Sequence, residues 1–296
     1  MSTERAVRIA YLGPEGTFTE DALRAALGDK AAEMVPAATV YDAIIAVDHG
    51  DADRALVPFE NSIEGAVRST LDTLAFDDPS VAIVGEYDHP IRHSVIARRE
   101  LALGEVTAVL SHPQASAQCS RFIREKLPAA EVRAAPSTAE AVRQVAASDE
   151  QWAALAARSA ARLYGCAVLA EGVEDSPDNV TRFVWVAPRD TRPEGDGTWR
   201  TTLVFSELGE DHPGALVEAL VEFSSRGVNL TRIESRPRRQ GLGRYLFFLD
   251  IEGSAEDGTV ASAIAGLRTK AESVRVLGSY PVETHGIPGG AGASPG

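Results

Sequence analysis

The sequence predicts an α/β protein with two lobes of alternating strands and helices, followed by a smaller βαββαβ domain. Three observations predict this fold class. Short apolar runs alternate with amphipathic segments over residues 1–187, which is typical of a mostly parallel, doubly wound sheet. A polar stretch rich in proline and glycine, residues 188–199, then forms a linker. After the linker, residues 200–281 follow the order strand, helix, strand, strand, helix, strand.

The composition limits the classes of partner. The 296 residues carry a formal net charge of −14, so the surface repels nucleic acid and acidic membranes. An anion site would have to be built locally, from arginines and helix N-termini. Cys119 and Cys166 have neither a redox nor a zinc spacing, which favours a reducing cytoplasm. No apolar segment near the N-terminus is long enough for a signal peptide or a membrane-spanning helix.

The first lobe is predicted over residues 6–85 and 167–187. Its first strand ends in a Gly-Pro-Glu-Gly turn, and Thr17 with Glu20 forms a capping box at the start of the next helix. The predicted elements are strands at 6–12, 33–36, 54–57, 167–170 and 180–187, and helices at 18–27, 40–47 and 66–76.

A β-rich segment at 81–97, interrupted by His89-Pro90, carries the chain into a second lobe over residues 86–166. Two α/β lobes joined by crossing strands create a cleft, where small ligands usually bind. The predicted elements of this lobe are strands at 106–110 and 131–135, helices at 113–127 and 138–147, and an apolar segment of ambiguous type at 153–157.

The C-terminal domain is predicted over residues 200–281. The tail, residues 282–296, consists almost entirely of small residues and proline towards its end and is expected to be disordered. The predicted elements are strands at 200–205, 228–235, 244–251 and 274–277, and helices at 213–226 and 260–271.

Polar clusters follow three strands of the two lobes, and a fourth opens the last strand. Each cluster is also typical of a turn or a helix cap, so none identifies a site alone. Together they indicate a site at the mouth of the cleft, because loops at strand ends carry the chemistry in this architecture. The four clusters are Gly13 to Thr17, Pro58 to Gly65, Ser111 to Gln114, and Asn179 to Phe183.

The last cluster is the most suggestive chemically. It places a hydroxyl donor, Thr181, beside a permanent cation, Arg182, and an aromatic side chain, Phe183. This set suits an anionic, ring-shaped substrate with a hydroxyl group to lose. In a regular strand, however, Thr181 and Arg182 face opposite sides. Either the strand is irregular at its start, or Arg182 has a neighbouring structural role.

These motifs, with Gly214-Ala215-Leu216 and Glu234-Ser235-Arg236-Pro237, resemble prephenate dehydratases that carry a C-terminal ACT domain. The resemblance covers about residues 7–281. It implies a catalytic domain like a periplasmic binding protein and conversion of prephenate to phenylpyruvate in phenylalanine biosynthesis. It also implies no cofactor or metal, feedback by L-phenylalanine through the ACT domain, and a cytoplasmic homodimer or homotetramer. Because the first strand begins almost at once, a fused chorismate mutase is not expected.

The resemblance also implies roles for individual residues. Thr181 would donate to the leaving hydroxyl. Apart from the resemblance, a threonine hydroxyl is a very weak acid, so a Glu60 kept protonated by burial is the alternative donor. The expected substrate-binding residues are Thr17, Asn61, Ser62, Ser111, Gln114, Gln118, Arg182 and Phe183. The expected effector-binding residues, between two ACT domains, are Gly214, Ala215, Leu216, Asn229, Leu230, Glu234 and Ser235.

Two other functions fit the same sequence. Arogenate dehydratase would perform the same chemistry on an amino acid in place of the keto acid. A non-catalytic amino-acid sensor would join a two-lobed binding domain to an ACT domain. A sensor has no need of a leaving-group donor such as Thr181, which argues against it.

Overall fold

Two β-sheets organise the protein. A computed structural model describes residues 5–77, 79–193, 195, 197–208, 212–239 and 243–282, so the expected disordered tail lies outside the described residues apart from Val282. None of the described helices is long and apolar enough to cross a membrane. The predicted α/β fold class, with two lobes and a C-terminal βαββαβ unit, is confirmed.

The strands of lobe 1 form one part of the larger sheet. The first three long strands run parallel, and the returning strand β11 runs antiparallel between β3 and β5. The helices bury apolar faces against this sheet, and threonine caps begin two of them. The elements are β1 (Val7–Leu12), α1 (Phe18–Leu27), β2 (Ala32–Ala37), α2 (Val40–Asp48), β3 (Arg54–Asn61), β4 (Gly65–Ala66), α3 (Arg68–Phe76), β5 (Val81–Pro90) and β11 (Val180–Pro188).

Lobe 2 is built on the smaller sheet, whose strand order is β10-β6-β9-β7-β8. Its helices pack a largely alanine and valine core against these strands. The elements are β6 (Ser94–Ala97), β7 (Ala108–Ser111), α4 (Pro113–Gln118), α5 (Ser120–Lys126), β8 (Glu131–Ala134), α6 (Thr138–Ala147), β9 (Trp152–Ala156), α7 (Arg158–Tyr164) and β10 (Ala167–Glu171).

Lobe 2 differs from the predicted pattern in three places. The helix predicted at 113–127 divides at Cys119, whose backbone leaves the helical region. The ambiguous segment is strand β9, and helix α7 after it was not predicted. The assignment of residues 167–170 to lobe 1 was wrong, because β10 pairs antiparallel with β6 in the smaller sheet. An apolar run shows that a strand forms but not which sheet it joins.

The C-terminal domain has the predicted βαββαβ order, with both helices packed on one face of its sheet. Its strand order is β13-β14-β12-β15, and β13 lies at the end of the sheet. The elements are β12 (Trp199–Ser206), α8 (Ala215–Ser224), β13 (Leu230–Pro237), β14 (Tyr245–Glu252), α9 (Gly258–Leu267) and β15 (Ser273–Pro281).

The C-terminal sheet continues into lobe 1. Strand β15 pairs with β5 where Gly278 lies opposite Ile83. A side chain at Gly278 would lie about 2.2 Å from the Ile83 carbonyl oxygen, so the close approach of the two strands requires glycine. Apolar residues of both parts share one core, in which Phe248 and Tyr280 contribute beside Ile83. The two parts therefore join through backbone pairing and through a common core.

Candidate active site

A cleft of about 760 Å³ lies between the two lobes. Lobe 1 contributes the start of α1, the end of β3 and the start of β11, and lobe 2 contributes the starts of α4 and α6. The predicted substrate-site residues that line this cleft are Thr17, Asn61, Gln114, Gln118, Thr181 and Phe183.

Three helices begin at the wall of this cleft. The N-cap residues of α1, α4 and α6 are Thr17, His112 and Ser137, and all three line it. First-turn N–H groups have no carbonyl partner within their own helix, and the helix dipole favours anions at that end. No lysine or arginine lines the cleft among the described residues. An anion bound in the cleft would therefore be held by helix N-termini and neutral donors.

The two faces of strand β11 have different surroundings. Thr181 and Phe183 point into the cleft, while Arg182 between them points to the opposite side of the sheet. This alternation is that of a regular strand, and the register irregularity against β3 comes only after Arg182. The Thr181 side chain is largely buried at the cleft wall, where a bound ligand would be shielded from water.

Asn61 fixes the orientation of the Thr181 hydroxyl. The Asn61 Oδ1 atom accepts hydrogen bonds from the backbone N–H groups of Ile63 and Glu64, at 3.0 Å each, so its Nδ2 atom must be the donor. That nitrogen lies 2.9 Å from Thr181 Oγ1 and 2.8 Å from Asn179 Oδ1. Because Thr181 Oγ1 accepts this bond, its own hydrogen is available to a ligand in the cleft.

The same network joins the two lobes. Asn179 Nδ2 donates to Gln118 Oε1 across 3.0 Å, and Gln118 Nε2 donates to the Glu64 carboxylate across 3.2 Å. Gln118 belongs to α4 of lobe 2, whereas Asn179 and Glu64 belong to lobe 1. A chain of amides therefore runs from lobe 2 to the Thr181 hydroxyl, so the position of lobe 2 can affect the position of that hydroxyl.

Comparison with known proteins identifies the family. The prephenate dehydratase family model matches residues 9–191, which include the whole cleft. The chain belongs to the prephenate dehydratase family. The model of the ACT domain matches residues 202–269. The family predicted from the sequence motifs is thus confirmed.

Individual relatives within the prephenate dehydratase family resemble the chain over most of its length. A prephenate dehydratase of Amycolatopsis methanolica is 44% identical over 276 residues, covering 92% of this chain and 88% of the relative. A bifunctional chorismate mutase/prephenate dehydratase of Aquifex aeolicus is 39% identical, covering 95% of this chain and 75% of the relative. The crystal structure of prephenate dehydratase in complex with L-Phe from Arthrobacter aurescens is 42% identical with a TM-score of 0.86, covering 97% and 94% of the two chains.

Two residues expected in the prephenate dehydratase site lie outside the cleft. Arg182 is buried on the far side of the sheet, where its Nη2 atom lies 2.6 Å from Asp250 and 2.9 Å from Glu60. Its guanidinium is occupied by these carboxylates, so the expectation that it binds substrate was wrong. Glu60 faces the same side, so its carboxyl cannot reach the hydroxyl of a ligand in the cleft. The structural role left open for Arg182 by the sequence is the correct one.

Two serines expected to bind substrate also lie outside the cleft. Ser62 Oγ accepts from the N–H of Val180 and donates to the carbonyl of Asp178, at 3.0 Å each, so it ties the end of β3 to the start of β11. Ser111 is fully buried and donates to the carbonyl of Leu155 across 2.6 Å. Both serines therefore hold the backbone of the site.

The expected effector residues divide into two groups. Gly214, Ala215 and Leu216 line a separate pocket of about 240 Å³ at the start of α8, beside Tyr245 and Phe247. Gly214 caps that helix with φ of 97°, a conformation that favours glycine. The other four residues do not line this pocket; they lie on β13 or just before it, and they are Asn229, Leu230, Glu234 and Ser235.

Sequence reasoning missed three residues of the site: Glu64, His93 and Asn179. Glu64 and Asn179 belong to the polar clusters at Pro58 to Gly65 and at Asn179 to Phe183, so their position at strand ends could have identified them as site residues. His93 follows the His89-Pro90 interruption, and its ring lines the cleft beside Phe18. A lone histidine in a crossing segment has no pattern that distinguishes it from a structural residue.

Proposed function

We propose that this protein converts prephenate to phenylpyruvate, water and carbon dioxide, with Thr181 as the donor to the leaving hydroxyl. The observation that carries the proposal is the Asn61 contact, which leaves the Thr181 hydrogen for a ligand in the cleft, within the residues that match the prephenate dehydratase family. A donor of this kind typically contributes about 10²–10⁴-fold to the rate when it acts as a general acid.

The reaction needs little covalent chemistry from the protein. The bond between the ring and its carboxylate breaks, and its electron pair enters the ring as carbon dioxide leaves. At the opposite ring carbon, the bond to the hydroxyl breaks and the ring becomes aromatic. The hydroxyl gains one proton and leaves as water. Because a threonine hydroxyl is a very weak acid, Thr181 stabilises the departing oxygen by a hydrogen bond and relays a proton from solvent.

The helix N-termini of the cleft provide sites for the two substrate carboxylates. Helices α1 and α6 begin on opposite lobes, so a dianion between them would draw the lobes together. Closure would exclude water and strengthen each of these contacts. Gln114 and Gln118 would complete the orientation of the substrate, with Phe183 against its ring.

The hydrogen bonds made by the acid in the cleft favour the keto acid prephenate over the amino acid arogenate. An ammonium group would need a carboxylate partner, and Glu140 is the carboxylate that lines the cleft among the described residues. Hydrogen bonds from Arg143 and Gln144 already hold this group and lower its pKa to about 2. Among the described residues that line the cleft, Glu140 is therefore the acid that could meet an ammonium group, and Arg143 and Gln144 already bind it.

The test of this proposal is phenylpyruvate formation by the purified chain, measured with prephenate and with arogenate. We expect kcat/KM for prephenate to be the larger by at least about tenfold. A preference for arogenate would contradict the substrate assignment, and no turnover of either compound would favour the sensor function. Both free cysteines fit a reducing compartment, so we place the reaction in the cytoplasm.

L-Phenylalanine is the effector that we assign to the C-terminal domain. The pocket at Gly214 to Leu216 is open on one side, and Ser235 and Glu234 lie on the strand at the end of the sheet. In our proposal a second copy of the chain brings its own β13 to this pocket. The effector would then contact residues of both copies and stabilise their arrangement.

Variants in the effector site are expected to lose inhibition and keep turnover. Gly214→Val forces a side chain into a backbone conformation that L-residues rarely adopt, and Ser235→Ala removes one hydroxyl. We expect either change to raise the phenylalanine concentration for half-inhibition by about tenfold or more, the effect of about 1.4 kcal/mol of binding free energy. Full phenylalanine sensitivity in both variants would contradict the assignment.

A homodimer is proposed through the same edge of the ACT domain. Strand β13 ends its sheet and carries the exposed side chain of Ile233, and α8 carries the exposed side chains of Val217 and Val221. We expect wild-type protein to have the mass of a dimer or a dimer of dimers in light scattering, and Val217→Glu to weaken that assembly. Val132→Glu, at an equally exposed valine on β8, is the control and should not change the mass.

A further inference from the structure

We propose that His93 binds the ring hydroxyl of the substrate as a hydrogen-bond acceptor, through its Nδ1 atom, while Thr181 donates to the same oxygen. This inference rests on the proposed function and adds a substrate-binding residue to it. His93 lies between β5 and β6, in one of the two segments that connect the lobes. It is only 2% exposed, yet it is one of the residues that line the cleft.

The surroundings of His93 hold its ring in one orientation. The ring packs edge-to-face on Phe18, with centroids 5.0 Å apart, and its Nε2 atom lies 3.1 Å from Gln118 Oε1. The backbone N–H of His93 donates to the Glu174 carboxylate across 2.9 Å, and its carbonyl accepts from the N–H of Val173. His93 is thus anchored to both connecting segments at once.

The amide chain determines which ring nitrogen carries the hydrogen. Gln118 Nε2 donates to the Glu64 carboxylate, and Gln118 Oε1 already accepts from Asn179. The Oε1 atom can therefore act only as an acceptor towards His93, so the hydrogen of the imidazole lies on Nε2. Burial lowers the pKa of His93, although the Gln118 contact and the Glu174 charge oppose the shift, and the ring is neutral at pH 7. Its Nδ1 atom is a bare acceptor.

That acceptor has no partner in the described structure. His93 Nδ1 is buried and makes no hydrogen bond, and an unpaired buried acceptor is unfavourable. His93 is one of the residues that line the cleft, so in our proposal a ligand that packs against it supplies the missing donor. Prephenate offers one kind of donor at neutral pH: its carboxylates and keto group are acceptors, and its ring hydroxyl alone carries a hydrogen. The chemistry of the ligand therefore assigns the hydroxyl to His93.

The two contacts would support each other. A hydroxyl that donates to His93 becomes a better acceptor for the hydrogen of Thr181, because hydrogen bonds in a chain polarise one another. The same pair of contacts turns a lone pair of the leaving oxygen towards Thr181. Gln118 would help in an indirect way, since it sets the hydrogen of the imidazole on the nitrogen away from the substrate.

Two variants separate the acceptor from the contact with Gln118. His93→Gln places an amide near the position of Nε2, so it keeps the contact with Gln118 and loses the acceptor. His93→Asn places its amide near the position of Nδ1, so it keeps an acceptor for the hydroxyl and loses the contact with Gln118. We expect His93→Gln to lower kcat/KM for prephenate by about 10- to 100-fold, and His93→Asn to lower it less.

Binding to an inert enzyme gives the second measurement. In a Thr181→Ala background, we expect His93→Gln to weaken prephenate binding by about tenfold. It should not change the affinity for an analogue in which hydrogen replaces the ring hydroxyl. An equal loss of affinity for both compounds would overturn the assignment, and so would wild-type kcat/KM in His93→Gln, or a larger loss in His93→Asn. Wild-type protein that does not turn over prephenate would instead overturn the proposed function, and this assignment with it.

Discussion

Replacing Thr181 with alanine is expected to lower kcat for prephenate by about 10²–10⁴-fold while the fold persists. The hydroxyl oxygen accepts a hydrogen bond from the Asn61 amide and leaves its own hydrogen for a ligand in the cleft, so its removal would leave the departing oxygen without a donor. Steady-state kinetics on prephenate would measure the loss. Thermal unfolding of the variant would show whether its structure is retained.

Two further substitutions at position 181 isolate the hydroxyl from the shape of the side chain. Thr181→Val keeps the branched shape without the hydroxyl and should be as inactive as Thr181→Ala. Thr181→Ser keeps the hydroxyl and should retain a substantial part of kcat. Near-normal turnover in the valine variant would remove Thr181 from the chemistry. An inactive serine variant would indicate that the methyl group is also needed to hold the donor in place.

Asp250→Ala is expected to reduce the free energy of unfolding by about 3–5 kcal/mol. Asp250 is fully buried between the ACT domain and lobe 1, where it accepts from Arg182 at 2.6 Å, Arg232 at 3.1 Å and Thr202 at 2.8 Å. Burial opposes its ionisation, yet the two guanidiniums hold the pKa of this carboxyl below its usual value. Alanine would remove the closest carboxylate of both buried arginines, and it would leave Arg232 with Glu60 at 3.8 Å and Arg182 with Glu60 and Glu86.

A matched control is available on the surface of lobe 2. Asp149 pairs with Arg98, and its side chain is 93% exposed. Asp149→Ala should therefore change the free energy of unfolding by about 1 kcal/mol or less. Denaturant titration of both variants gives the comparison. If Asp250→Ala were no more destabilising than Asp149→Ala, the buried ion pairs would not hold the two parts together.

The Asp250 variant should also disturb the active site. Arg182 follows Thr181 directly in β11, so its guanidinium anchors the strand whose other face carries the hydroxyl. We expect folded Asp250→Ala protein to show reduced kcat with less change in KM. The contact between Asp250 and Arg182 therefore connects the ACT domain to Thr181 through one residue of strand β11.

Local patterns in the sequence predicted the order of the elements well, because each strand end and helix start carries its own turn or cap. The motif at Asn179 to Phe183 was also correctly placed at the cleft. The sequence did not show which side of the strand Arg182 serves, because that depends on its partner. This partner, Asp250, lies 68 residues further along the chain. Only the pairing of the ACT strands beside lobe 1 brings that carboxylate to the arginine.

Other misassignments have the same cause. Glu60 belongs to a motif at a strand end, but its side of the sheet depends on an irregular register between β3 and β11. Ser111 ends its strand as predicted, yet its hydroxyl is used by the carbonyl of Leu155 on a neighbouring strand. In each case the residue type was right for a site, and a partner distant in sequence decided its use.

Because the ACT domain and lobe 1 share one core, deleting the ACT domain would damage lobe 1. Truncation after residue 191 would uncover Ile83, and it would take from Arg182 its closest carboxylate. It would also turn β5 into an open sheet edge, a known template for aggregation. If the proposed feedback operates, its loss is therefore more readily reached by point changes in the pocket at Gly214 to Leu216 than by deletion of the ACT domain.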